Sequence, residues 1–362
     1  MTRPRRWPGR LLLVLGSVLV PIVLVDVTLF LLRGPVRLVE NFYAPDPACG
    51  YRMRPHLTFE FAHPYHGYRA TVHTNALGVR GPDIPFHKAP GTRRLLFVGD
   101  SVTAGLEVAD DATFAATCGR ALGGPPAVEV INAGVRGYNL DNITAWLANI
   151  GMRLHPDVVV YTFVDNDWCD DAAFTPARSD WSRGPRLNRW VQGLAAYSHV
   201  LYRLELLRER LRFRAAAHAP HPTGDRSTGL AGLLAGPAIA TRPGAALTAH
   251  RIAVLDSLAR SGGARFVLAG APHRLEIEPA AQAWLARERG DVGVDFDACR
   301  HWLDAVAGEV GCARVDPIPR FREEAARGAD FWFREDDHLN ERGHRLFAAI
   351  LADSLAAPPV PR

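Results

Sequence analysis

The sequence predicts an α/β fold, a parallel sheet with helices on both faces, and three observations carry that prediction. From residue 93 onward, short apolar runs alternate with stretches of helical length. The runs Leu95–Val98 and Val158–Phe163 are continuous rather than alternating, as expected of strands covered on both faces. Polar segments rich in Gly, Asn and Asp then follow the strands, where a parallel sheet gathers its loops at one edge.

Taken in order, the first strand runs through Leu95, Leu96, Phe97 and Val98 and stops at Gly99-Asp100-Ser101. Gly99 permits a tight turn, and Ser101 stands at the carboxyl end of the strand. A helix is predicted over 112–122, a strand over 128–132, a helix over 140–154 and, after His155-Pro156-Asp157, a strand over 158–163. The alternation resumes with a helix over 245–260, a strand over 265–269, a short strand over 313–315 and a closing helix over 343–355. Residues 170–243 interrupt it. The centre of this insertion, 194–214, reads as helix, and its end is rich in Gly, Ala and Pro; its place beside the third strand predicts a lid or substrate wall over the strand ends. Upstream, residues 57–61 and 68–74 predict a small hairpin around 63–67. The chain carries no internal repeat.

With 362 residues, 48% of them hydrophobic and 22% charged, the chain can bury a large core. Residues 11–32 are apolar except for Asp26, a length that suits a membrane-spanning helix. Arg3, Arg5, Arg6 and Arg10 precede it, against Arg33 and Arg37 after it, so the bias places the N-terminus in the cytoplasm. A cleaved signal peptide is the rival reading, but it calls for a shorter apolar region and a small-residue cleavage site. The expected organisation is a basic cytoplasmic segment (1–10), a transmembrane anchor (11–32), a linker with the hairpin (33–90) and a main domain (91–358) outside the cytoplasmic membrane. Pro21 is tolerated in such a helix, and Asp26 is expected to reach toward the outer interface.

The net charge of +4 owes much to the N-terminal arginines, and no basic stripe is interleaved with aromatics, so nucleic acid is not an expected partner. Arg203, Arg208, Arg210, Arg212 and Arg214 are interrupted by Glu205 and Glu209, as on a solvated or membrane-facing helix. Cys49, Cys118, Cys169, Cys299 and Cys312 show no zinc spacing. Cys299 and Cys312 flank a predicted helix that would hold them about 20 Å apart, so free thiols are expected. His56, His63, His66 and His73 lack a carboxylate or cysteine to complete a ligand set, and Asp165, Asp167, Asp170 and Asp171 read as a polar rim. Neither a metal nor an organic cofactor is expected.

Four segments carry the chemistry: Gly99-Asp100-Ser101-Val102-Thr103-Ala104-Gly105, Asn132-Ala133-Gly134-Val135-Arg136-Gly137-Tyr138-Asn139, Val164-Asp165-Asn166-Asp167, and Asp336-Asp337-His338-Leu339-Asn340. In this order, at strand ends or just before the last helix, they resemble the four blocks of the SGNH (GDSL-type) hydrolase superfamily. The likeness covers roughly residues 75–355, including the lead-in from Asn75 to Gly81. It implies a flavodoxin-like three-layer α/β/α sandwich with Ser101 as nucleophile and His338 as base. It also implies an oxyanion hole of the Ser101 and Gly137 N–H groups and the Asn166 amide, with Gly134 as the other candidate glycine.

A serine is a poor nucleophile at its own pKa, so His338 must take its proton during attack and return it to the leaving group. A carboxylate should orient the imidazole. Many family members place an aspartate three residues before the histidine, where this chain has Glu335; Asp336 is the expected third member and Glu335 the alternative. The resemblance implies acyl transfer to water through an acyl-serine, with a short-chain or O-acetyl ester, borne by a small molecule, an envelope glycan or a lipid, as substrate. The alternatives are an O-acyltransferase using the same site and an inactive envelope scaffold. His344 is expected to pack within the last helix.

Overall fold

The computed structural model describes residues 7–33, 42–63, 66–168, 198–201, 203–204, 230–242, 244–290, 292–334 and 336–356, with residues 7–15, 33, 63 and 166 described by their backbone alone. The chain divides into two compact units, one of residues 1–42 with 180–222 and one of residues 43–179 with 223–362. In the first, helix α1 (Trp7–Arg33) covers the apolar N-terminal stretch. Among the described residues, no helix is long and apolar enough to cross a membrane. Asp26 has a partner within this unit: its Oδ1 accepts the Val200 N–H at 3.0 Å. Residues 199–201 and 203–204 are helical; the rest of the helix expected over 194–214 lies outside the described residues, as does Cys169.

The second unit opens with two hairpins. Strands β1 (Tyr43–Asp46) and β2 (Gly50–Met53) form one that the sequence pattern did not reveal, because each strand is only four residues long. Strands β3 (Thr58–His63) and β4 (Tyr68–His73) form the expected one, paired from Thr58↔His73 to His63↔Tyr68. Tyr68, Ala70 and Val72 are buried while Arg69, Thr71 and His73 are exposed, the alternation of a sheet with one face on the core.

The main sheet is wholly parallel. Its strands are β5 (Arg93–Gly99), β6 (Val128–Gly134), β7 (Val158–Phe163), β8 (Arg265–Gly270) and β9 (Ala313–Val315), in the spatial order β6-β5-β7-β8-β9. This is the doubly wound order in which the chain reverses direction beside its first strand, and ligands bind outside the carboxyl ends at that point. The continuous apolar runs are buried on both faces, as their pattern required.

The helices of this unit are α2 (Ser101–Ala104), α3 (Phe114–Ala121), α4 (Leu140–Asn149), α5 (Leu230–Leu233), α6 (Ala245–Ser261), α7 (Arg274–Ile277), α8 (Pro279–Arg289), α9 (Ala298–Val310), α10 (Ile318–Ala326) and α11 (Glu341–Ala356). On one sheet face, Leu95, Phe97, Val158, Val160, Val267 and Ala269 join a core with α3, α10 and α11. On the other lie α4, α6 and α9. The helix expected to run to residue 154 ends at Asn149 and continues as a 3₁₀ turn, Gly151–Leu154. A Cβ on Gly151 would lie 2.8 Å from the Trp146 ring, so the chain changes course where that ring packs. Cys49, Cys118, Cys299 and Cys312 are free thiols, and the first three are buried.

Candidate active site

Ser101 is the first residue of α2, directly beyond β5. Asp100 caps that helix through a bond from the Val102 N–H to Oδ1 at 2.9 Å. Gly99 is needed for close approach: a Cβ there would lie 2.2 Å from Thr103 Oγ1. Gly134 answers to the same constraint from β6, since its Cβ would lie 2.2 Å from the Ala104 nitrogen. Both glycines therefore let the serine-bearing turn settle onto the strand ends.

The lead-in from Asn75 to Gly81 acquires a role. Asn75 Oδ1 accepts the N–H groups of Leu77 and Val79 at 2.9 and 3.2 Å, which folds the segment into a compact turn. That turn buries Arg80, whose guanidinium donates to the carbonyls of Ala104, Gly105 and Val108 and pairs with Asp110 at 2.7 Å. Arg80 thus clamps the backbone that leaves Ser101.

His338 arrives from the opposite side, in the loop before α11. The loop is closed by the Phe333 N–H donating to the His338 carbonyl at 3.1 Å and by the Trp332–Leu339 bridge. Arg274 donates to the carbonyls of Phe333 and Asp336 at 3.2 and 3.1 Å. The outer hairpin braces the same loop: Tyr68 meets the Phe333 ring edge-on at 5.3 Å, and His66 Nδ1 bonds the Arg334 carbonyl at 2.8 Å.

These loops bring three side chains into line. His338 Nε2 lies 3.0 Å from Ser101 Oγ, and His338 Nδ1 lies 2.5 Å from Asp336 Oδ1. The same Asp336 oxygen accepts the His338 N–H at 2.9 Å, so one carboxylate fixes both the backbone and the ring. Burial opposes the charge on Asp336, but the hydrogen bonds and positive charge of His338 overcome it and lower the pKa to about 2. Glu335, the alternative acid, lies outside the described residues.

A second carboxyl, unsuspected from the sequence, shares that imidazole. Glu107 Oε1 is 3.7 Å from His338 Nδ1, and its other oxygen is buried without a hydrogen bond. Burial raises the Glu107 pKa despite the neighbouring imidazole. Burial works against a charged His338, yet Glu107 and Asp336 together raise its pKa to about 9. The signal available in the sequence was a lone acid in the otherwise apolar run Leu106-Glu107-Val108, six residues after the serine.

The candidate glycines separate by what their N–H groups do. Gly134 donates to Asn132 Oδ1 at 3.1 Å and is thereby occupied. Gly137 sits in an exposed turn at φ +79°, and among the described residues its N–H has no partner; neither has that of Ser101. The first hairpin supports the turn, with Tyr51 Oη donating to the Arg136 carbonyl at 3.0 Å. The backbone of Asn166 lies in the 3₁₀ turn Asp165–Asp167 beyond β7, while its side chain lies outside the described residues.

Of the residues expected to form the polar rim, Asp165 lines the cavity beside Ser101 and Asp167 departs from it. Asp167 is buried, accepting the Tyr161 hydroxyl at 2.9 Å and the Val164 N–H at 3.2 Å, so it shapes the turn from beneath. Asp165 Oδ2 accepts the Leu230 N–H at 2.8 Å. Of the other expected rim residues, Asp170 and Asp171 lie outside the described residues. His344 packs as expected: it is buried against Phe114, accepts that residue's N–H at 3.1 Å, and has its pKa lowered to about 3 by burial.

A hydroxyl, an imidazole and a carboxylate aligned at the carboxyl edge of a parallel sheet make up the chemistry of an ester-cleaving hydrolase. A profile of the GDSL-like Lipase/Acylhydrolase family matches residues 97–346. The chain belongs to this family and is a hydrolase acting on ester bonds. No curated protein matches the chain. Among solved structures it is similar to LAE5, an alpha/beta hydrolase enzyme from the metagenome of Lake Arreo, at 14% identity and TM-score 0.40, covering 75% of this chain and 97% of that one. It is also similar to the acetyl xylan esterase AlAXEase, at 15% identity and TM-score 0.42 over 72% and 99% of the two chains. A third is a catalytic mutant of Axe2, an acetylxylan esterase from Geobacillus stearothermophilus, at 14% identity and TM-score 0.42 over 76% and 100%. The family assignment rests on the match over 97–346.

Proposed function

We propose that the protein is a serine esterase in which Ser101 is the nucleophile, His338 the general base and then acid, and Asp336 the residue that orients the imidazole. The observation that carries this reading is the line from Ser101 Oγ through His338 to Asp336, at 3.0 and 2.5 Å. Ser101 Oγ attacks the ester carbonyl carbon while Nε2 takes its proton, and the carbonyl oxygen becomes the oxyanion of a tetrahedral intermediate. The N–H groups of Ser101 and Gly137 and the Asn166 amide stabilise that charge. The proton passes to the leaving alcohol as the C–O bond breaks. Water, deprotonated by His338, then attacks the acyl-serine and releases the acid.

The substrate we favour is a short-chain or O-acetyl ester on an envelope carbohydrate, a choice supported by the resemblance to the family. The test is hydrolysis of p-nitrophenyl acetate together with acetylated sugars, by wild type and Ser101→Ala. Activity that survives Ser101→Ala contradicts the reading.

We also read residues 11–32 as a membrane anchor, with the N-terminus in the cytoplasm and the catalytic unit outside. Supporting it, the segment is helical, and its large apolar side chains from Val18 to Val25, with Val27, Phe30, Leu31 and Leu32, are exposed. Full-length protein should pellet with membranes and resist extraction by carbonate. Release of the intact chain by carbonate contradicts the anchor.

A further inference from the structure

A cavity of about 210 Å³ opens beside Ser101 and runs along the carboxyl ends of β7, β8 and β9. Phe163, Leu303 and Ile318 give it apolar walls, while His273, Glu276 and Arg314 bring polar groups to the part beyond the nucleophile. Glu276 stands out. It is only 4% exposed, and its backbone carbonyl is fixed by Gln282 Nε2 at 2.9 Å and Arg322 Nε at 2.7 Å. Its carboxyl makes no hydrogen bond or ion pair with any described residue. Of the charged groups it acts on at longer range, His273, Asp165 and Arg314 line the same cavity, and Arg322 and Asp316 lie outside it.

A buried carboxyl without a partner is costly, and native structures satisfy such groups from protein, water or ligand. Burial raises the Glu276 pKa to about 8, against the pull of His273 and Arg322, so the group is mainly protonated at neutral pH. A protonated carboxyl offers one O–H donor and an acceptor oxygen, the complement of an alcohol, which is both donor and acceptor. An alkyl chain reaching this point would leave the carboxyl unsatisfied. Asp165 and Asp337 line the cavity opposite in charge to Arg300 and Arg314, so the lining as a whole is not built for one sign of charge.

We infer that the cavity beyond Ser101 is a subsite for a hydroxyl-bearing group of the ester substrate, with Glu276 as its specificity determinant. This inference rests on the esterase reading above and narrows it to esters whose acyl or alcohol part carries hydroxyls.

Two matched pairs of esters test it. On the acyl side, p-nitrophenyl butyrate is compared with p-nitrophenyl 3-hydroxybutyrate; on the alcohol side, cyclohexyl acetate is compared with a mono-O-acetylated methyl xyloside. In one of the pairs, kcat/KM of the wild type should favour the hydroxylated ester by about tenfold or more, since a site built for a hydroxyl rejects the analogue that lacks it. The pair that discriminates identifies the part of the substrate that enters. Glu276→Gln, which keeps a donor and an acceptor, should retain the preference, and Glu276→Leu should abolish it, with thermal unfolding confirming that each variant folds. A wild type without this preference in either pair, or a folded Glu276→Leu that keeps it, overturns the inference. If Glu276→Leu does not fold, the wild-type ratios and Glu276→Gln decide. Failure of the wild type to cleave any of the four esters refutes the esterase reading instead.

Discussion

The two ends of the cavity treat a carboxyl group in opposite ways. Beside the nucleophile, Asp336 is ionised because His338 donates to it from both ring and backbone. Beyond β8, Glu276 is buried with no donor, and its neutral form is favoured. Glu107 is drawn both ways, since burial raises its pKa while the imidazole 3.7 Å away favours its charged form. One end is thus organised around a charge before substrate arrives, and the other presents a neutral polar group to whatever enters.

The comparison breaks most visibly at the nucleophile end. Ser101→Ala and His338→Ala should each lower kcat for p-nitrophenyl acetate by about 10⁴-fold or more, with thermal unfolding unchanged in Ser101→Ala. Asp336→Asn should cost about 10³- to 10⁴-fold while Glu335→Gln stays near wild type, as measured with the same ester. The reverse order would move the acid to Glu335. Asn166→Ala should lose about 10²- to 10³-fold in kcat if its amide faces the oxyanion.

The pH profile sharpens the contrast among the carboxyls. Because the His338 pKa is raised to about 9, kcat/KM should climb with pH and level off near that value rather than near the ordinary histidine value of about 6.5. Both flanking carboxyls favour the charged ring, so Glu107→Gln and Asp336→Asn should each move the limb to lower pH. Linkage gives the matching stability effect: the raised pKa stabilises the fold fully below about 6.5, and that contribution fades as pH rises through about 9. Unfolding in urea at pH 6 and pH 10 should show the difference, with the dependence reduced in His338→Ala. The smallest expected effect is that of Tyr51→Phe, which removes the bond to the Arg136 carbonyl and should cost about 1 kcal/mol in urea unfolding.

Much of the sheet was legible because a doubly covered strand must be apolar along its whole length. Val158–Phe163 falls where its residues placed it. The first hairpin was not legible, since its side chains act through distant partners: Tyr51 reaches Arg136, far along the chain. Gly99 was legible as special but for another reason, close approach of Thr103 rather than the turn itself. At the site, the serine and histidine stood out through their blocks, and the structure brings Asp336 into bonding distance of the ring. Glu107 and Glu276 escaped notice because a lone acid in a sequence does not reveal that its surroundings will exclude water.

The central claim is that Ser101 is a nucleophile activated by His338. The most direct measurement is labelling of the folded protein with a p-nitrophenyl alkylphosphonate, followed by mass spectrometry of its peptides. The account predicts one phosphonyl group on the peptide containing Ser101, and a large loss of labelling rate in His338→Ala. Label on a different residue, or undiminished labelling of Ser101 without His338, would contradict it.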